Sequence, residues 1–150
     1  MNININKGLV VDTALTNQKT QIENIEQRIN AINKDAFSND HSASQSESRT
    51  AGKLEILNAL QSELTFAIKE LEFLKTIDAS DENTSVSPGA IVITEQMIFF
   101  IGISNDKIQI DGNEIICIST KAPIYAAMKG LKKGDMFEYN KTKYSLKNIY

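Results

Sequence analysis

Apolar residues in the first half of the chain recur at three- and four-residue steps: Val11, Leu15, Ile22, Ile25, Ile29 and Ile32, with Gln18 occupying one position of the same seam. Side chains spaced in this way line one narrow stripe of an α-helix, here over residues 11–35. The step returns in Leu57, Leu60, Leu64, Ala67, Leu71 and Leu74, supplemented by Leu54, Ile68 and Phe73, and predicts a second helix over about residues 49–77. Each stripe needs an apolar partner. The pattern therefore predicts a two-helix antiparallel coiled-coil hairpin over residues 1–80. How far the first helix reaches back is not fixed, because Gly8 weakens helix by up to about 1 kcal/mol relative to alanine. Residues 36–48, AFSNDHSASQSES, lack aliphatic periodicity and are rich in Ser, Asn and Asp, so they are expected to form the exposed loop at the hairpin tip.

A second polar interval, Asp78 to Pro88, ends the helical texture, with residues 81–88 as the expected linker and 89–150 as the second domain. From there the chain reads as short β-rich runs: 90–94, 97–103, 107–110, 114–119, 136–139 and 144–149. Asp111-Gly112-Asn113 is a strong hairpin-turn signal, and Asn140-Lys141-Thr142 closes the last pair. Pro123 followed by Ile124 to Met128 predicts a short helix with proline in its first turn, ended at Gly130. The expected fold class is α+β: the helical hairpin, then a bent antiparallel β domain carrying one short helix.

Composition narrows the function. The 150 residues are 41% hydrophobic and 23% charged, enough for one ordinary domain or two small ones. No apolar run approaches the roughly 20 residues of a membrane-spanning helix, and the N-terminus lacks a basic start followed by an apolar core, so a cytoplasmic protein with no membrane partner is expected. Cys117, the single cysteine, reads as a small buried strand residue, and His41 as a surface residue of the tip. Residues 1–82 carry 8 basic and 13 acidic side chains, a balance of −5, whereas residues 83–150 carry 8 and 6, a balance of +2. A surface of that kind does not grip a nucleic-acid backbone by itself. Any nucleic acid would be held by a partner.

The C-terminal third, ISTKAPIYAAMKGLKKGDMFEYNKTKYSLKNIY, resembles the C-terminal signature of the bacterial Gre transcript-cleavage factors. Ser119 begins the turn, Ala122-Pro123 stands where Ser-Pro is usual, and Gly130-Leu131-Lys132-Lys133-Gly134-Asp135 is the glycine turn before the final hairpin. The upstream PGAIVITEQMIFFIGI is similar to the family's opening strand, with Ala90 in place of a serine. The resemblance is specific over residues 88–150 and one of pattern over 11–77. It implies an FKBP-like C-terminal domain that docks on RNA polymerase, and a hairpin that passes down the secondary channel.

By the same resemblance the chain is not itself an enzyme. It would stimulate the polymerase's intrinsic hydrolysis of a backtracked transcript, touching nascent RNA only through polymerase. No cofactor is expected in the isolated protein, and Mg²⁺ belongs to the polymerase active site. Mg²⁺ takes oxygen ligands and activates the attacking water, so tip carboxylates would help to retain it. Glu47 best matches the tip glutamate and Asp40 is the nearest aspartate, which makes these two the candidate catalytic and metal-retaining residues. No Asp-x-x-Glu occurs between residues 36 and 50, and Ser44 occupies the usual aspartate place. Ala122, Pro123, Tyr125, Lys132 and Lys133 are the candidate partner-binding residues.

Three alternatives share the residues. A regulator of the same architecture could occupy the channel without rescuing cleavage. The heptads could drive homodimerisation, although a monomer is expected. A free-standing FKBP-type prolyl isomerase fits poorly, because such a pocket is lined by aromatics and this chain has no tryptophan. Phe99 and Phe100 adjoin in one strand, so one is expected to face the core and the other outward.

Overall fold

A computed structural model describes residues 4–36, 43–105 and 107–150, with side chains throughout except at 35–36 and 43–50. Two helices come first, α1 (Lys7–Ala36) and α2 (Ala43–Lys75). The strands β1 (Ile91–Thr94), β2 (Ile98–Gly102), β3 (Ile108–Ile110) and β4 (Asn113–Ser119) follow, then α3 (Pro123–Met128), β5 (Met136–Tyr139) and β6 (Thr142–Ile149). This is the expected α+β class, a helical hairpin followed by a mostly antiparallel six-stranded sheet with one short helix.

α1 begins four residues before Val11. The Asn6 side-chain oxygen accepts the Leu9 amide at 3.1 Å and caps the first turn, which offsets the cost of Gly8. α2 begins at Ala43, so residues 43–48 are helical and the expected 36–48 loop is shorter than its composition suggested. Polar helix-compatible residues leave no apolar stripe, and periodicity could not detect that stretch.

Contacts divide the chain into two compact units, Met1–Asn17 with Glu72–Tyr150, and Gln18–Leu71. The division falls within the helices rather than at residues 81–88. Its cause is burial: Val10, Val11, Ala14 and Leu74, at the bases of the two helices, belong to the core of the sheet unit. The Gln18–Leu71 unit has its own seam, in which Ile22, Ile25, Ile29, Leu60 and Ala67 are buried and Ile32, Leu57, Leu64 and Leu71 are half-buried around them. The Arg28–Glu63 ion pair at 3.3 Å is exposed and adds at most about 1 kcal/mol to this pairing.

The sheet order is β3-β4-β2-β1-β6-β5. All neighbours are antiparallel except β2 and β4, which run parallel from Ile98↔Ile115 to Gly102↔Ser119. The parallel pair departs from the expected all-antiparallel sheet for a packing reason. β4 offers Ile115 and Cys117 to one face and Ile116 and Ile118 to the other, which suits an interior strand, whereas β3 has three residues with Gln109 exposed, which suits an edge.

Both faces of the central strands are covered. Phe100 lies with Ile91, Ile93, Ile98 and the helix bases on one face, and Phe99 lies with Val92, Ile101, Met128 and Tyr144 on the other. The expectation that one of the two phenylalanines faces outward is therefore corrected: each is at most 1% exposed.

Candidate functional site

The tip is the first candidate. Six residues, 37–42, join α1 to α2, and Asp40 and His41 lie among them, outside the described residues. Glu47 is the fifth residue of α2 rather than a residue preceding it, and its side chain is also outside those described. Among the described residues no group of three or more His, Cys, Asp and Glu side chains is placed to hold a metal ion.

The second candidate is the surface at α3 and the glycine turn. Ser119 Oγ accepts the Lys121 amide at 3.1 Å and the Ser119 carbonyl accepts the Ala122 amide at 3.0 Å, closing the turn that leads into α3. Ala122 is extended, with φ −71° and ψ 141°, and Pro123 opens the helix, where its missing N–H costs nothing. Pro123 is exposed and Ala122 half-buried.

Tyr125 departs from its expected role. At 5% exposure it packs with Val86, Met128 and Phe137, and so belongs to the core rather than to a partner-facing surface. Lys132 and Lys133 are exposed. Asp135 Oδ2 accepts the Lys132 amide at 2.8 Å, which fixes the turn that carries both lysines into β5. The segment before the sheet is stitched to the same turn, since the Val86 amide donates to Leu131 O at 2.8 Å and the Gly130 amide to Val86 O at 2.9 Å.

One polar cluster was not anticipated from sequence. Lys7, 8% exposed, donates from Nζ to Asp81 O and Asn83 Oδ1, each at 2.8 Å, and to Tyr150 O at 3.4 Å. Burial holds its pKa below the usual lysine value, against the opposing pull of the Asp81, Asp78 and Glu82 carboxylates. Ser80 donates from Oγ and from its amide to Asp78 Oδ1, and these bonds hold that carboxyl below its ordinary pKa. A cavity of about 160 Å³ lies beside Lys7, lined among others by Asp78, Asp81, Asn83, Phe73 and Ile77. These bonds tether the start of α1 to Asp81, Asn83 and Tyr150. Only a lysine ahead of the first heptad hinted at it.

No protein-family model and no curated protein sequence matches the chain. Solved structures similar to it include two of Gfh1. One is GreA factor homolog 1 (Gfh1) of Thermus thermophilus, 14% identical over 91% of this chain and 94% of that one, with a TM-score of 0.34. The other is a structure of the transcription factor Gfh1, 16% identical over 91% and 92%, also with a TM-score of 0.34. Among the described residues, no helix is long and apolar enough to cross a membrane.

Proposed function

We propose that the chain is an RNA polymerase-binding transcription factor of Gre-like architecture whose helical hairpin enters the polymerase secondary channel. The observation that carries this reading is the order of elements: helices of 30 and 33 residues joined by six precede a sheet whose final hairpin follows the Gly130–Asp135 turn. At 1.5 Å per residue the helices are about 45 and 50 Å long, a length suited to probing a deep channel. Their acidic balance favours entry into a basic one. Nascent RNA is met only inside polymerase, in keeping with the net acidic balance of −5 over residues 1–82.

The finer reading is stimulation of transcript cleavage, with Glu47 and Asp40 retaining Mg²⁺ in the polymerase. The donor set fits that task only in part, because Ser44 stands where the paired aspartate would be. A second reading, a channel-occupying regulator that does not promote cleavage, is favoured by this replacement and by the position of Glu47 inside α2. A cleavage assay on stalled elongation complexes separates the two. Shortened transcripts that disappear with Glu47→Ala or Asp40→Ala support cleavage, and binding without shortened transcripts supports the regulator.

A further inference from the structure

The sheet ends at β5, and among the described residues no strand pairs with its outer side. Asn140 and Lys141 both have positive φ, 50° and 64°, the signature of a two-residue type I′ turn. In such a turn Tyr139 and Thr142 form the hydrogen-bonded pair, and the antiparallel alternation makes Phe137↔Tyr144 the next. Beyond them the Asp135 carbonyl accepts the Leu146 amide at 2.9 Å, as the alternation requires, while the Leu146 carbonyl takes the Gly134 amide at 2.9 Å across a β-bulge. Met136 and Glu138 consequently turn their amide and carbonyl groups away from β6.

Their side chains point to an uncovered face. β5 and β6 bury Phe137, Tyr144 and Leu146 on the α3 side of the sheet and contribute no buried residue to the opposite side. On that opposite side lie Met136, Glu138, Lys143, Ser145 and Lys147. Met136, at 64%, is the most exposed large apolar residue among those described.

Charge selects the occupant. Residues 129–147 carry six lysines against Asp135 and Glu138, a local balance of +4 in a chain of net charge −3. Lys132 and Lys133 enter β5, Lys141 leaves it, and Lys143 and Lys147 stand on β6, all exposed. Two copies of this edge would set like charge against like charge, so self-pairing is disfavoured.

We propose that the β5 edge is a docking site for an extended acidic segment of a partner protein, which adds a seventh strand to the sheet. Its backbone bonds the outward amides and carbonyls of Met136 and Glu138. One apolar side chain covers Met136, and its carboxylates meet the lysines at the two ends of β5. This mode of binding is independent of what the hairpin does.

The full chain would be titrated with an octapeptide of alternating glutamate and valine, and with its lysine–valine counterpart, by fluorescence anisotropy at low and high salt. Glu138→Pro removes an outward amide without taking one from the ladder. The Glu-Val peptide is expected to bind, weakening at least tenfold with salt, with E138P and with the double change K132E/K133E, while E138P keeps the wild-type melting temperature. Hydrogen exchange read on the wild-type chain does not depend on any variant folding. The Met136 and Glu138 amides should slow at least tenfold when the Glu-Val peptide is added, and those of Phe137 and Tyr139 should not change. Equal affinity for the lysine peptide, no binding at millimolar peptide, or exchange at Met136 and Glu138 unmoved by the peptide would each overturn the proposal.

Discussion

Gln18, with no exposed surface, donates from Nε2 to the carbonyl oxygen of Ala67 at 2.9 Å, so the one polar position of the helical seam bonds the backbone of the facing helix. That carbonyl already accepts its own helix amide, and the glutamine uses its second lone pair. A bond of this kind fixes the register of two stripes that would otherwise tolerate a slip. Gln18→Ala, which removes the bond and leaves a void, is expected to cost roughly 1–3 kcal/mol in urea denaturation. Gln18→Leu is expected to be within about 1 kcal/mol of wild type while broadening the oligomer distribution in light scattering. A Gln18→Ala chain as stable as wild type would remove the register argument.

Lys7 is the corresponding device in the sheet unit. Lys7→Met leaves three acceptors without their ammonium and is expected to lose roughly 1–3 kcal/mol at neutral pH. The pH dependence has a definite sign. Burial lowers the folded pKa of Lys7, so between that value and the ordinary value near 10.4 the unfolded chain binds the extra proton. The contribution of Lys7 to stability therefore rises with pH across this alkaline interval. The gap between wild type and Lys7→Met should widen as pH increases from neutral toward about 10. A gap that narrows would contradict the assignment.

The two phenylalanines give a direct test of the two-sided core. Phe99→Ala and Phe100→Ala should each destabilise by about 3–5 kcal/mol, because each ring is buried on its own face. An effect below about 1 kcal/mol for either would mean that one face is open to solvent.

Turn chemistry makes a smaller prediction. Lys141 holds φ 64°, which a side chain adopts at a cost that glycine avoids, and Lys141→Gly converts the turn to Asn-Gly. A gain of roughly 0.5–1 kcal/mol in urea denaturation is expected. Gly112→Ala, at φ 80°, should lose a comparable amount.

Much of the fold was legible because its signals are local. Asp111-Gly112 and Asn140-Lys141 sit at the turns expected of them, and Pro123 opens α3. What the sequence concealed depends on partners distant along the chain. Val11, Leu15 and Leu74 carry the heptad spacing yet pack in the sheet unit, since periodicity reports which side of a helix is apolar and not what covers it. The same blindness applies to Phe99 and Phe100, and to Lys7, whose acceptors lie more than 70 residues away. Of the candidate site, Pro123, Lys132 and Lys133 stand on the surface, Tyr125 does not, and Asp40 and the Glu47 side chain lie outside the described residues.

The proposed function turns on the residues between α1 and α2 working inside RNA polymerase. A photo-crosslinking amino acid placed at Asp40, in a chain mixed with core polymerase from the same organism, tests it most directly. The account predicts a stable complex and crosslinks to the subunit that carries the catalytic Mg²⁺, close to the RNA 3′ end. Failure to bind polymerase, or crosslinks confined to its outer surface, would contradict it.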